Sequence, residues 1–345
     1  MESQRHQEII GLILKNSPLS ISELRKNLSE NISIPTLNRE LAKIKSNNII
    51  QTIGQGPSQK YIINLNGLTT CAIDLDVFFK SEIENRTILE KFNMNVFDKL
   101  DNIDVFSPSE HELLTKAQVN YSNKTAELSI QQFKKEFERL MIELSWKSSQ
   151  IEGNTYDLLE TEQLLKHNIS SENKTIEETQ MLLNHKSAIN YTFENKDLYD
   201  EISISKIVDI HLLLTKKMGI AKNFRKRIVR ITGTNYLPPD SEFIIQEAME
   251  RLCVLLNSKK NIYEKALLAV LLISYIQPFE DGNKRTARLL ANAILMNSNI
   301  CPLSYRSSLP IDYKKAVLIF YELNNINAFK KIFIQQFLFA TDNYF

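Results

Sequence analysis

Gln277-Pro278-Phe279-Glu280-Asp281-Gly282-Asn283-Lys284-Arg285-Thr286-Ala287-Arg288 decides how the rest of the chain is read. An apolar run over residues 266–276 leads into it, and a Leu/Ala-rich helical pattern over 286–296 leads out. Gly282-Asn283 interrupts both periodicities, so the stretch reads as helix, tight loop, helix. Lys284, Arg285 and Arg288 then fall in the first turn of the second helix, where the positive end of the backbone dipole disfavours cations. Arg285 and Arg288, three apart, share one helix face. The conflict disappears if an anion occupies the site, met by free backbone N–H groups and guanidinium forks. Asp281, just before the loop, is a hard oxygen ligand of the kind that meets Mg2+ together with phosphates.

A second charge stands at the wrong helix end. Phe137, Leu140, Met141, Leu144 and Ile151 form a helical stripe, with Ser148 and Glu152 four apart on one face. Gly153-Asn154 ends that helix, glycine being suited to a left-handed cap. Glu152 therefore lies in a last turn, where the negative dipole end disfavours a carboxylate. The two misplacements cancel if Glu152 pairs with one of the arginines.

On these residues the chain resembles Fic (Fido) proteins, whose signature is His-x-Phe-x-Asp/Glu-Gly-Asn-Gly-Arg-x-x-Arg and which transfer AMP from ATP to protein hydroxyls. Phe279, Asp281, Gly282, Asn283, Arg285 and Arg288 match, whereas Gln277 stands at the catalytic His and Lys284 at the second Gly. The resemblance implies Mg2+ on Asp281, an anion hole of Gly282 and Asn283 at the α-phosphate, and the remaining phosphates on Arg285 and Arg288. Lys284 adds charge to that hole, and Phe279 anchors the loop. The Asn-Lys-Arg order is also similar to phosphate-transferring Doc toxins, but those lack the second Arg, so Arg288 favours AMP transfer. Residues 148–154 resemble the family's inhibitory motif, Ser/Thr-x-x-x-Glu-Gly/Asn. That implies autoinhibition through Ser148, Glu152 and Gly153, with Glu152 on Arg288 blocking γ-phosphate placement. An imidazole suits the family base because its pKa lies near working pH; the Gln277 amide does not titrate there. Loss of a general base typically costs about 10²–10⁴ in rate.

Residues 224–239, with β-branched Ile228-Val229, Ile231 and a Gly233-Thr234-Asn235 turn, read as a β-hairpin. It resembles the family flap, whose residues here are Thr232, Gly233, Thr234 and Asn235 and which aligns a target by strand addition. His211, alone on an apolar helix over 204–218, reads as structural.

Residues 1–65 read as three helices and a hairpin: an apolar opening helix, a short one over 23–28, and a third from Ser33-Ile34-Pro35. Strands at 49–53 and 59–63 flank a Gly54-Gln55-Gly56-Pro57 turn. This resembles a winged helix-turn-helix, with Thr36, Asn38, Arg39 and Lys43 of the third helix facing DNA and Lys60 on the wing. Eight Lys/Arg against five Asp/Glu give this segment net +3, weak for tight DNA binding by a monomer, so a dimer is expected if DNA is the partner. Residues 66–125 read as a helical connector without chemistry, with a helix starting near Ser109.

The chain has 345 residues, 43% hydrophobic and 24% charged, with net charge +1. That is ordinary globular composition, neither acidic nor basic enough to name a partner. Cys71, Cys253 and Cys301 lack metal-ligand spacing and suit a reducing, cytoplasmic setting. The apolar run at 266–276 is too short to span a bilayer, so no membrane partner is expected. The expected fold is mainly α: a Fic-type helical bundle with a small β-hairpin flap, plus an N-terminal winged helix-turn-helix. Its parts are residues 1–65, a connector over 66–125, and a Fic domain over 126–345 whose inhibitory helix covers about 133–153. The resemblance, which covers 108–345, implies ATP and Mg2+ as cofactors and a target protein with a Tyr, Thr or Ser hydroxyl. Two functions remain open: an AMP transferase strongly weakened by Gln277 and restrained by Glu152, or a nucleotide-responsive DNA-binding regulator without catalysis.

Overall fold

The computed structural model describes residues 4–345. The chain divides into two compact units. One comprises Met1–Phe92, Arg230–Leu237 and Lys315–Phe329; the other comprises Asn93–Val229, Pro238–Lys314 and Lys330–Phe345.

In the first unit, α1 (Gln4–Asn16), β1 (Leu19–Ser20), α2 (Ile21–Asn27), α3 (Ile34–Ser46), β2 (Ile50–Ile53) and β3 (Lys60–Ile63) follow in order. Ser20 and Glu23 form a reciprocal capping box at the start of α2. Ser33 caps α3, and Pro35 sits in its first turn, where a missing N–H costs nothing. The strands make one antiparallel sheet of order β1-β3-β2, with Thr52 opposite Tyr61. Ile9, Ile10 and Ile13 of α1 and Leu37, Leu41 and Ile44 of α3 are buried in its core with Tyr61, Phe78, Ile319 and Leu323. After β3 the chain folds back closely: Asn64 donates through its backbone to Ile49 O at 2.9 Å and through its side chain to Asn48 O at 2.8 Å. α4 (Leu75–Phe79) completes the unit's own helices.

The second unit holds α5 (Asn95–Asp101), α6 (Pro108–Glu127), α7 (Ile130–Ile151), α8 (Leu158–His167), α9 (Ile176–Glu194), α10 (Ile204–Leu214), α11 (Glu242–Ser258), α12 (Ile262–Ile276) and α13 (Asn283–Asn297). The two units share α14 (Pro310–Leu323) and α15 (Asn327–Asn343) between them. Every residue of α12 from Tyr263 onward is buried, as an all-round apolar helix must be. It packs against α13, so the loop joining them is held between two buried helices. Phe329, Phe333 and Phe337 of α15 are core residues.

Three local expectations change. Ser107, not Ser109, caps α6, because Pro108 then occupies the first helical position and Glu110 closes the capping box. α10 stops at Leu214, and left-handed Lys217 and Gly219 follow. The hairpin expected over residues 224–239 does not form: no strand occurs over 224–236. The turn is present, with Gly233 at φ 91°. Its flank is engaged elsewhere, Leu237 N donating to Glu90 O and Phe92 N to Leu237 O, while Pro238-Pro239 offers no N–H to a ladder.

The tight return after β3 gives a test. A Cβ on Gly67 would lie 2.0 Å from Asn48 O and 2.7 Å from Asn48 C, both backbone atoms that cannot rotate away. Gly67→Ala is expected to destabilise the first unit by about 1–3 kcal/mol or more, as overpacking does. Urea unfolding followed by hydrogen exchange of α1 and α3 amides would show it.

Candidate functional site

Gln277 closes α12 in the left-handed region (φ 50°, ψ 58°), its N–H reaching Ile273 O at 2.9 Å. Asn283 then ties the loop together. Its Oδ1 accepts Phe279 N–H at 2.8 Å, and its Nδ2 donates to Phe279 O at 2.8 Å and Gln277 Oε1 at 3.0 Å. Phe279 is fully buried and stacks on His211, ring centres 3.7 Å apart. His211 Nε2 donates to Asp281 O at 3.0 Å, which makes the residue a brace for the loop. Burial depresses its pKa to about 4, with Arg285 acting in the same direction against the Asp281 carbonyl. Gly282 precedes α13 at φ 81°, and a Cβ there would meet Thr215 Cγ2 at 3.2 Å. Glycine is required on both counts. No side chain among the described residues caps α13, so its first N–H groups have no intrahelical partner.

Against that helix start, the structure gathers Lys284, Arg285 and Arg288. Arg288 is fully buried. Its Nε donates to Ser148 Oγ at 2.9 Å, and its Nη2 donates to Ser148 O at 2.8 Å and Glu152 Oε1 at 3.1 Å. The guanidinium also lies 5.1 Å from the Tyr313 ring centre. Lys284 Nζ meets the other carboxylate oxygen, Glu152 Oε2, at 3.2 Å. Each oxygen of one carboxylate thus answers one cation. Burial pushes the Glu152 carboxyl up, but the charges of Arg288 and Lys284 outweigh it and hold the pKa below the usual glutamate value. Arg285, 1% exposed, donates to Asp281 Oδ2 at 3.1 Å, and its Nη1 lies 3.9 Å from Met218 Sδ. Its Nε is buried without a hydrogen-bond partner among the described residues.

Glu152 and Ser148 reach this place because α7 ends there. Ile151 is its last residue, and left-handed Gly153 (φ 100°) turns the chain away. Behind Ser148, His185 Nε2 lies 2.9 Å from the hydroxyl, and its pKa falls to about 3 through burial and then the charges of Arg288 and Arg285.

Gln277 is not poised toward solvent. Its Nε2 donates to Ser274 O at 2.6 Å, and its Oε1 accepts from Asn283. Its carbonyl accepts from buried Arg225 Nε at 2.6 Å, and Arg225 also donates to Arg227 O and Pro239 O. Arg225, His185, Met218 and Tyr313 are site neighbours that sequence reasoning missed. Arg225 sits in an Arg-Lys-Arg run that looks solvent-facing, and no local pattern separates it from its neighbours.

Asp281 leaves 63% of its side chain exposed. Among the described residues no three His, Cys, Asp or Glu side chains converge as a metal site. A lone accessible carboxylate beside a cluster of cations fits Mg2+, which keeps several waters and takes further oxygens from phosphates where these are bound.

The remaining expected residues lie in the first unit. Thr232, Gly233, Thr234 and Asn235 belong to its segment Arg230–Leu237. On α3, Asn38, Arg39 and Lys43 are exposed and Thr36 is half-buried, bonded to the capping Ser33; Lys60 is exposed at the start of β3. Among the described residues no helix is long and apolar enough to cross a membrane.

Residues 201–295 match the model of the Fic/DOC family. The chain is 29% identical over 160 residues to the protein adenylyltransferase fic-1 of Caenorhabditis elegans, covering 44% of this chain and 31% of that protein. It is 31% identical over 174 residues to the protein adenylyltransferase Fic of Nematostella vectensis, covering 49% and 40%. The chain therefore spans about a third of the length of these relatives. Among solved structures, Fic-1 of C. elegans superposes with a TM-score of 0.58 at 21% identity, over 68% of this chain and 70% of that one. A Fic domain-containing signaling protein of Bacteroides thetaiotaomicron gives 0.57 at 19% identity, over 67% and 94%. The fold is that of Fic proteins, mainly helical with the small sheet described above.

The two neutral histidines predict a pH response. A group whose pKa is lowered by folding binds more protons when unfolded, so stability falls as pH drops through its unfolded value of about 6.5. His185 and His211 should each contribute a slope approaching about 1.4 kcal/mol per pH unit between about 6 and 4.5. His185→Asn is expected to flatten the fall in melting temperature over that window.

Proposed function

We propose that this chain is a protein AMP transferase scaffold that binds Mg-ATP, is restrained by Glu152, and is strongly weakened in chemistry by Gln277. One observation carries the reading: a single Glu152 carboxylate is divided between Lys284 and Arg288 beside the uncapped start of α13. A helix N-terminus with three cations is a phosphate site, and Glu152 takes the place that a phosphate would hold. The Gly282 and Asn283 amides would receive the α-phosphate, with Arg285 and, once freed, Arg288 and Lys284 receiving the others. Asp281 would hold Mg2+, which would offset charge on the phosphate oxygens. The target is a Tyr, Thr or Ser hydroxyl, aligned by the 232–235 turn. Its proton needs an acceptor. Gln277 cannot serve, because its amide does not titrate near neutral pH and both ends are already engaged, Nε2 by Ser274 O of α12 and Oε1 by Asn283. Ser148, Glu152 and Gly153 form the restraint: Ser148 grips Arg288 through its side chain and backbone while Glu152 neutralises it.

A second reading is favoured by the first unit. Asn38, Arg39 and Lys43 line the exposed face of α3, with Lys60 at the hairpin, the layout of a winged helix-turn-helix whose third helix enters the major groove. On that reading the protein is a nucleotide-responsive DNA-binding regulator, acting as a dimer, whose phosphate site senses ATP without consuming it.

Three outcomes are expected. With labelled ATP and Mg2+, Gln277→His should raise protein labelling at least about tenfold, within the usual range for a general base; strong labelling by the parent would refute the assigned role of Gln277. Calorimetry should find Mg-ATP bound about ten- to hundredfold more tightly by Glu152→Gly, the worth of a hydrogen-bonded charge pair. Adding Arg288→Ala should abolish most of that gain, and equal affinity in parent and Glu152→Gly would remove the restraint from the account. If DNA is the partner, Arg39→Ala should weaken binding and reduce the slope of log affinity against log salt by about one; no DNA binding by the full chain at low salt would leave only the enzyme reading.

A further inference from the structure

The connector between the N-terminal helices and α5 carries a buried cation that nothing above uses. Arg86 follows α4, and its side chain is only 3% exposed. One guanidinium nitrogen, Nη1, pairs with Glu322 Oε1 at 3.1 Å, and the Glu322 side chain is itself fully buried. The other, Nη2, donates to Gly233 O at 2.7 Å. Phe79 and Phe78 pack against the guanidinium, with ring centres at 5.2 and 5.8 Å. All of these residues belong to the first unit.

A buried ion pair is seldom kept for stability, since apolar residues of similar volume usually serve as well. A backbone constraint explains this one. Gly233 lies at φ 91°, and a Cβ there would be 3.4 Å from Leu318 Cδ1. The residue is half-buried, and a carbonyl there needs a donor. Arg86 supplies one, and Glu322 balances the charge that Arg86 brings with it. The same connector continues alongside the turn. Leu89 N donates to Glu322 O at 2.7 Å, Leu237 N to Glu90 O at 2.7 Å, and Phe92 N to Leu237 O at 2.9 Å.

We propose that Arg86 is a positioning residue: it fixes the 232–235 turn to the N-terminal unit through the Gly233 carbonyl and Glu322. The turn then moves with α1–α4 rather than as a free loop. Whatever segment aligns on it is presented by the N-terminal unit. This consequence for transfer rests on the target-aligning role given to the turn above; the anchor itself does not.

Hydrogen exchange on the full-length chain tests the anchor. Arg86→Met is expected to speed exchange of the Leu237 and Phe92 amides about ten- to hundredfold, the worth of a charge-assisted hydrogen bond. Amides of α1, α3, α12 and α13 should keep their parental rates. Because the single variant strands the Glu322 carboxylate, Arg86→Met with Glu322→Met is the second arm, leaving no unpaired buried charge. Fast exchange at Leu237 in that double variant supports the anchor, and parental protection there overturns it. In a Gln277→His background the double variant should label target protein about tenfold less at unchanged Mg-ATP affinity. Fast exchange with unchanged labelling would uphold the anchor and refute the target-aligning role of the turn.

Discussion

Arg288 has no contact with solvent, and the structure of the second unit depends on how its charge is answered. Ser148 provides two acceptors and Tyr313 an aromatic face, but among the described residues only Glu152 forms an ion pair with it. Removing one partner of such a pair typically costs about 3–5 kcal/mol because the other is left buried and alone. The end of α7 is thereby held against the start of α13, an acid at a negative helix end facing bases at a positive one. Neither helix terminus is favourable in isolation; together they are complementary. On the proposed reading, an incoming anion has to compete with Glu152 rather than simply arrive. A triphosphate would meet that requirement, since it offers several oxygens to both Lys284 and Arg288 and would release the acid without stranding either cation.

Much of this was legible in the sequence because it follows from local rules. Helix termini carry their own signals, and charges that contradict the helix dipole point to partners elsewhere in the chain; that contradiction paired Glu152 with one of the two arginines, and the family resemblance chose Arg288. Apolar spacing and the Gly-rich turn likewise placed α3 and the β2–β3 pair. What failed did so for non-local reasons. Residues 226–232 have strand-like composition, but a strand exists only where a ladder partner is available, and here the backbone at 237 is committed to residues 90 and 92. Arg225 and Arg86 are buried donors to backbone carbonyls, a role no composition or period reveals. The hold of Lys284 on Glu152 was missed because the residue was weighed only as an addition to the anion hole.

On the proposed reading, Gln277 separates binding from chemistry. Its left-handed backbone and its amide both serve the loop: the carbonyl takes Arg225, Nε2 takes Ser274 O, and Oε1 takes Asn283. Asn283 in turn orients Phe279 and the first residues of α13. The groups suited to hold phosphate are therefore kept in place by the same residue that is unable to move a proton. A chain can retain this arrangement and bind a nucleotide while transferring nothing from it.

The two buried histidines show how finely the site's charge is set. His185 lies against Ser148 and His211 against Phe279, both within the field of the arginines, and both are held neutral well below neutral pH. A protonated His185 would add a cation behind Arg288, and a protonated His211 would add one beside Arg285. Neutral imidazoles can instead pack against Ser148 and Phe279 and brace the loop without adding charge. At the start of α13 the cations are then Lys284, Arg285 and Arg288, with one acid, Glu152, divided between two of them and Asp281 facing the third. Withdrawing Glu152 unbalances the site by one buried charge. On the proposed reading a polyanion takes its place, which ties release of the helix end of α7 to occupancy of the start of α13.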